Sequence, residues 1–185
     1  MPEGVGGRKA DPPSPYCEGE TLGMWAGMAC RPHAIRIPAP VTKSVIDIAI
    51  DELASSQVEA AVELWRACGL TRPWYAPHAD AAKALAGPAS TILAGVLTGR
   101  LVATAMVGAD GHRAWVYYLA VAPDLRGAGL GKAMMDAVET WARGRGMPKL
   151  ELMVREGNAP AEGFYEAIGY QREPVNVYSR WLSER

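Results

Sequence analysis

With 185 residues, 49% of them hydrophobic, the chain can bury one domain-sized core and not two generous ones. A formal net charge of -1 and a pI near 6.3 provide no basic face, which argues against a standing role on nucleic acid or at an anionic membrane surface. No apolar run approaches the ~20 residues of a membrane span, and the first residues lack the charged-then-apolar order of a secretory signal, so a cytoplasmic location is expected. Cys17, Cys30 and Cys68 show no C-x-x-C spacing, and His33, His78 and His112 are scattered, so reduced thiols and no metal site are expected.

Residues 1–44 hold Pro12, Pro13, Pro15, Pro32, Pro38 and Pro40 among glycines without a sustained period, and read as a disordered arm. A docking tail anchored by Met24, Trp25 and Met28 is the alternative, as is a true start at Met24 or Met28. From Val45 the pattern becomes regular. Val45, Ile46, Ile48 and Ile50 read as a strand, and Ser55 or Ser56 can cap a helix whose apolar face is Val58, Ala61, Val62, Leu64 and Trp65. Residues 78–86 read as a second helix, ended by Gly87 and Pro88. Three strands follow over 91–96, 101–107 and 113–121. They turn at Thr98-Gly99 and Asp110-Gly111 and are expected to be antiparallel.

The best periodic segment begins at Leu130. Ala133, Met134, Ala137, Val138 and Trp141 continue one apolar stripe, Asp136, Glu139 and Arg143 face water, and Gly144, Gly146 and Pro148 end the helix. Leu150, Leu152 and Val154 alternate as a strand. Asn158 can cap a short helix that tolerates Pro160 and closes at Gly169, with Gly163 costing it ~1 kcal/mol against alanine. Val175, Val177 and Tyr178 read as the start of a last strand.

Between the strand 113–121 and the long helix, Gly127, Gly129 and Gly131 stand at alternate positions with Arg126 and Lys132 flanking them. Backbone N–H groups and cations converge there at a helix N-terminus, which is how an anion such as a phosphate is held. Two common phosphate loops fail to match. The G-x-x-x-x-G-K-[ST] loop would need glycine at Arg126 and a hydroxyl at Ala133, and the dinucleotide fingerprint would need glycine at Lys132. An ordinary strand-to-helix turn is the other reading of the glycines.

The residues do fit R-x-x-G-x-G, as Arg126, Gly129 and Gly131. Downstream, Arg155, Asn158, Ala161, Phe164, Tyr165, Gly169 and Tyr170 fit R-x-x-N-x-x-A-x-x-F-Y-x-x-x-G-Y. In these two segments the chain resembles the GNAT superfamily of N-acetyltransferases. The likeness spans about residues 45 to 182. Cys68 to Trp74, Asp110 to Arg113 and Trp115 to Val121 further resemble its YpeA-type bacterial branch. The resemblance implies an α+β fold with a mixed, mostly antiparallel sheet of six to seven strands, about four helices and splayed central strands, with residues 45–185 as the acetyltransferase domain. It implies acetyl-CoA as co-substrate, no metal, and direct transfer in a ternary complex to a primary amine of a small molecule or protein, by a monomer or homodimer.

By the same resemblance, Arg126, Gly127, Gly129, Gly131 and Lys132 hold the pyrophosphate. The backbone of Leu119 and Val121 pairs with the pantetheine arm like an added strand, and a main-chain N–H there meets the thioester oxygen. Tyr165 is the candidate general acid, its ordinary pKa of ~10 keeping it protonated at neutral pH; its other reading is a core aromatic beside Phe164. Asn158 is either a cofactor contact or the helix cap. Trp74 and Tyr75 line the acceptor cleft or cover the core edge. The family often carries a glutamate on the strand before the glycine loop, yet Trp115 to Val121 contains no carboxylate. Glu151 is a candidate base or a solvated residue, and Asp110 and His112 read as turn residues. That gap keeps open a non-catalytic acyl-CoA-binding module, and the arm keeps open an interaction scaffold.

Overall fold

A computed structural model describes residues 47–182. The expected arm over 1–44, and Val45 and Ile46 of the expected first strand, lie outside the described residues. One sheet runs β1 (Ala49–Glu52), β2 (Ser90–Leu97), β3 (Arg100–Ala109), β4 (Ala114–Val121) and β5 (Leu150–Leu152), in that spatial order. The first four strands are antiparallel neighbours, as the turn residues predict, and β5 joins β4 in parallel. The β2 to β3 turn has positive φ at both Thr98 (47°) and Gly99 (81°), the conformation that matches a two-residue hairpin to the twist of its strands.

The helices are α1 (Val58–Ala67), α2 (Pro77–Leu85), α3 (Leu130–Gly144) and α4 (Ala159–Ala167). A 3-10 turn over Ser55–Gln57 precedes α1, so the expected serine cap is absent; instead the Gln57 side chain accepts from the Ala54 N–H at 3.1 Å. Helices α1 and α2 cover one face of the sheet with Val62, Trp65 and Ala81, against Ile92, Ala94, Val102 and Ala120. Helix α3 covers the other with Met134, Met135 and Val138, against Leu93, Ala103, Ala105 and Val107. Because both faces are covered, β2 and β3 are nearly continuous apolar runs and not alternating ones. Burial on α3 centres on Met134, Met135, Val138 and Ala142, with Ala133 and Ala137 at its margin.

Five strands stand among the described residues where six to seven were expected. Val175, Val177 and Tyr178 lie in extended chain and are 70%, 69% and 92% exposed. β-Propensity reflects fit to a half-buried pleated surface, and these side chains have no such surface beneath them.

The feature that positions the site is a bulge in β4. Thr104 opposes Ala120, but Met106 opposes Tyr117, so Tyr118 and Leu119 together face Ala105. Tyr118 takes φ of 50°, a left-handed conformation uncommon for a bulky side chain. The extra residue reverses the facing of everything after it. Tyr118 and Ala120 turn to the α1 and α2 face, while Leu119 packs on the α3 side, as Ala114 and Val116 do before the bulge, and Val121 touches both cores.

Candidate active site

Strands β4 and β5 pair only through Ala114, Trp115 and Val116 against Leu150, Glu151 and Leu152. Beyond Val116 they part, and β4 runs on for five more residues without a neighbour on that edge. The ladder with β3 fixes which main-chain groups look into the gap. Ala122 donates its N–H to the Val102 carbonyl at 2.8 Å, which makes 102 and 122 a hydrogen-bonded pair and, two residues back, Thr104 and Ala120 another. Val121 and Leu119 lie between these pairs, so their main-chain groups point away from β3; Cys68 and Arg126 meet the Val121 carbonyl, which leaves the Val121 N–H and the Leu119 groups to face the gap. Without the bulge, the open edge would instead carry the groups of Tyr118 and Ala120.

Several buried contacts hold the bulge. The Trp65 indole N–H donates to the Thr104 hydroxyl at 2.9 Å, and that hydroxyl donates to the Tyr118 carbonyl at 3.3 Å. The Tyr118 ring stacks on Trp65 with centroids 4.3 Å apart, and its hydroxyl donates to the Asp80 carboxylate on α2 at 3.1 Å. Burial, with Asp80 next in importance, pushes the Tyr118 phenol up to about 12. None of Trp65, Asp80 or Thr104 stands out in sequence as a site residue. The available signal is Thr104, a lone hydroxyl inside the apolar run Leu101 to Val107, since a buried hydroxyl must find a partner.

The strand passes through a 3-10 turn, Pro123–Leu125, into the glycine loop. Gly127 and Gly129 have φ of 74° and 88°, and Gly129 is the N-cap of α3. The first intrahelical bond there runs from the Ala133 N–H to the Gly129 carbonyl, which leaves the N–H groups of Leu130, Gly131 and Lys132 free at the helix start. Gly131 also meets a steric requirement. A methyl group there would come within 3.1 Å of the Phe164 ring, so the residue lets α4 lie close against the first turn of α3.

Arg126 is exposed and its Nε lies 3.4 Å from the Val121 carbonyl, on which the Cys68 thiol also converges at 3.4 Å. The Lys132 ammonium is bound by Asp136 one turn on, at 2.7 Å. Asn158 occupies the N-cap of α4, but its side chain makes no capping bond; its carbonyl accepts from Ala161 and Glu162 instead. Phe164 fills the space over Gly131. Tyr165 lies edge-on to it with centroids 5.0 Å apart, and to Tyr170 at 5.8 Å. Burial pushes the Tyr165 phenol up to about 12.

Trp74 and Tyr75, in the segment between α1 and α2, are 49% and 36% exposed. Arg155, just past β5, reaches the Tyr75 hydroxyl at 3.4 Å. Glu151 is tied to Arg113 at 2.7 Å and Lys149 at 2.9 Å, and these partners, Arg113 foremost, hold its carboxyl below the usual range. Asp110 accepts the N–H groups of His112 and Arg113 in the β3 to β4 turn, as its turn reading requires. Among the described residues no group of three His, Cys, Asp or Glu side chains could hold a metal ion, and no helix is long and apolar enough to cross a membrane.

An open strand edge that leads into a helix N-terminus of free amides suits an extended amide-bearing arm with an anionic end. The family model described as "Acetyltransferase (GNAT) family" matches residues 50–170, and the chain belongs to that family. It is 41% identical over 128 residues to "Acetyltransferase ECA0875" of Pectobacterium atrosepticum, covering 69% of this chain and 91% of that protein. It is 39% identical over 127 residues to "Acetyltransferase YE1169" of Yersinia enterocolitica, covering 69% and 90%. Among solved structures, AAC(6')-Iy in complex with a bisubstrate analog superposes with a TM-score of 0.65 at 17% identity, over 73% of this chain and 99% of that one. The protein is thus an N-acetyltransferase with acetyl-CoA as its co-substrate.

Proposed function

We propose that the protein acetylates a primary amine of a small molecule or protein by direct transfer within a ternary complex. The observation that supports this most is the main-chain edge of Leu119 and Val121, turned into the gap by the bulge and continuous with the free amides of α3. These groups suit the amides of a pantetheine arm, and the segment Arg126 to Lys132 suits the pyrophosphate. The YpeA-type branch is the part of the family that we favour, on Cys68 to Trp74 and Trp115 to Val121.

Bound acetyl-CoA supplies an activated acyl group on a good leaving sulfur. The chain's part is to align it, keep the amine unprotonated and return a proton to the sulfur. Tyr165 fits the last task, since a phenol at about 12 is fully protonated near neutrality. It is a weaker acid than a thiol of pKa ~8.5, so donation is favourable only when coupled to recovery of a proton from the acylated nitrogen. We read Tyr165 as such a relay, and Trp74 and Tyr75 as walls of the acceptor cleft.

Calorimetry with CoA and thiol release from acetyl-CoA across an amine panel test this reading. We expect saturable binding that weakens in Arg126→Ala, amine-dependent thiol release, and intersecting double-reciprocal lines. Thiol release at the no-protein rate with every amine would overturn it, and parallel lines would remove the ternary complex.

A further inference from the structure

Strand β4 carries no carboxylate from Trp115 to Val121, and an acid on another element meets the side chain of its bulge residue. Tyr118 stands two residues past the last β4 to β5 pair, where the gap opens, and its hydroxyl holds Asp80 at 3.1 Å. Arg155, from beyond β5, reaches the Tyr75 hydroxyl at 3.4 Å. The segment from Tyr75 to Asp80 therefore touches β4 through Tyr118 and the chain beyond β5 through Arg155.

Of the other acids among the described residues, several pair with a cation, and Glu52, Glu63, Glu156, Glu162 and Glu166 are exposed. Glu151 is held by Arg113 and Lys149, Asp124 by Arg100, Asp136 by Lys132, Glu139 by Arg143, and Glu59 by His78. Asp80 is half-buried, its side-chain partner is a neutral phenol, and among the described residues no cation pairs with it. A half-buried carboxylate that accepts only from a neutral phenol is chemistry that attracts an ammonium ion.

We propose that Asp80 is the acceptor-side carboxylate, which binds the ammonium form of the amine substrate and takes its proton, with Tyr118 as the positioning residue that aims it. This rests on the function proposed above. One proton passes from the ammonium to an Asp80 oxygen, and the freed nitrogen lone pair forms the bond to the acetyl carbon as the carbon–sulfur bond breaks. The sulfur keeps the bonding pair and takes the Tyr165 hydroxyl proton. The second nitrogen proton restores Tyr165, and Asp80 releases its proton to solvent, so one ammonium and one thioester give one amide, one thiol and one proton. The acceptor is thereby a cationic amine and not an aryl amine or an alcohol.

The test compares two acceptors in Asp80→Asn, which keeps an oxygen for the Tyr118 hydroxyl. With a primary alkylamine, protonated at neutral pH, kcat/KM should fall ~100-fold or more; with an alkoxyamine, which arrives unprotonated, it should stay within about fivefold. Calorimetry of the alkylamine on the CoA complex should show affinity lowered ~10-fold or more, and Asp80→Glu should recover part of both losses. Equal losses for the two amines, or parent-like turnover and binding, would overturn the assignment. Asp80→Ala serves the same comparison should the amide variant not fold. If the parent transfers acetyl to no amine, the proposed function itself fails and this assignment with it; if only the Asp80 comparison fails, the function stands.

Discussion

The Trp65 indole N–H donates to the Thr104 hydroxyl at 2.9 Å, with both residues fully buried. The bond ties α1 to the centre of β3, and the same hydroxyl bonds the Tyr118 carbonyl that the bulge would otherwise strand. Thr104→Val keeps the shape and leaves the indole N–H unsatisfied. It should cost about 1–3 kcal/mol in chemical denaturation. Because the bulge sets which amides face the gap, CoA affinity should fall as well. Loss of stability with unchanged CoA affinity would mean that the bulge holds without Thr104.

Two glycines of the loop should fail in different ways. At Gly129, φ is 88° and nothing lies within 4 Å of an added methyl group, so Gly129→Ala pays in backbone strain of about 1–2 kcal/mol. Its effect should fall on CoA affinity, through the first amides of α3. At Gly131 the methyl group would press on Phe164 at 3.1 Å, and Gly131→Ala should displace α4 and with it Tyr165. Turnover should then fall more than CoA binding does. Identical profiles for the two variants would show that Gly131 serves the loop and not α4.

Much of this arrangement is legible in the chain, because it depends on local signals. The glycine loop, the stripe of α3 and the two hairpin turns each follow from residues within a few positions of one another. The bulge was not legible. Tyr117 and Tyr118 carry none of the glycine that marks many bulges, and the left-handed Tyr118 is held by Trp65, Thr104 and Asp80, which are distant in sequence. Asp80 gives no signal for the same reason: on its own helix it is an ordinary first-turn acid that favours the helix dipole. Alternation at Val175 and Val177 predicts a strand that the described residues do not show, since it records a preference and not a partner. The closeness of Gly131 to Phe164 is likewise a contact between elements distant in sequence.

The acid limb of stability should carry the mark of Asp110. The Arg113 backbone N–H foremost, then that of His112 and the Trp115 indole, hold its carboxyl at about 2, below the ordinary 3.8. A carboxyl depressed in the folded state adds stability above its unfolded pKa and loses it as pH falls through the folded one. The parent should therefore exceed Asp110→Asn in stability at neutral pH, with the difference shrinking as pH falls from about 4 to 2. Thermal melts of the two proteins across that range measure it. A constant difference would show that the turn draws on the shape of the side chain and not on its charge.

Tyr165→Phe isolates the proton relay. The ring keeps its edge contacts with Phe164 and Tyr170, and burial of a phenyl group costs nothing extra, so the fold and CoA affinity should stay near those of the parent. Turnover should fall about 100-fold or more, the scale of a positioned proton donor. The pH profile separates this from a packing role. With the phenol at about 12, the parent should show no falling limb from Tyr165 between pH 6 and about 10, because the proton is present throughout. A thiol ester whose leaving group is more acidic needs that proton less, so the deficit of the variant should narrow with such a donor. A deficit that stays constant across donors would assign Tyr165 to the wall of the site and leave the leaving sulfur to be protonated by water.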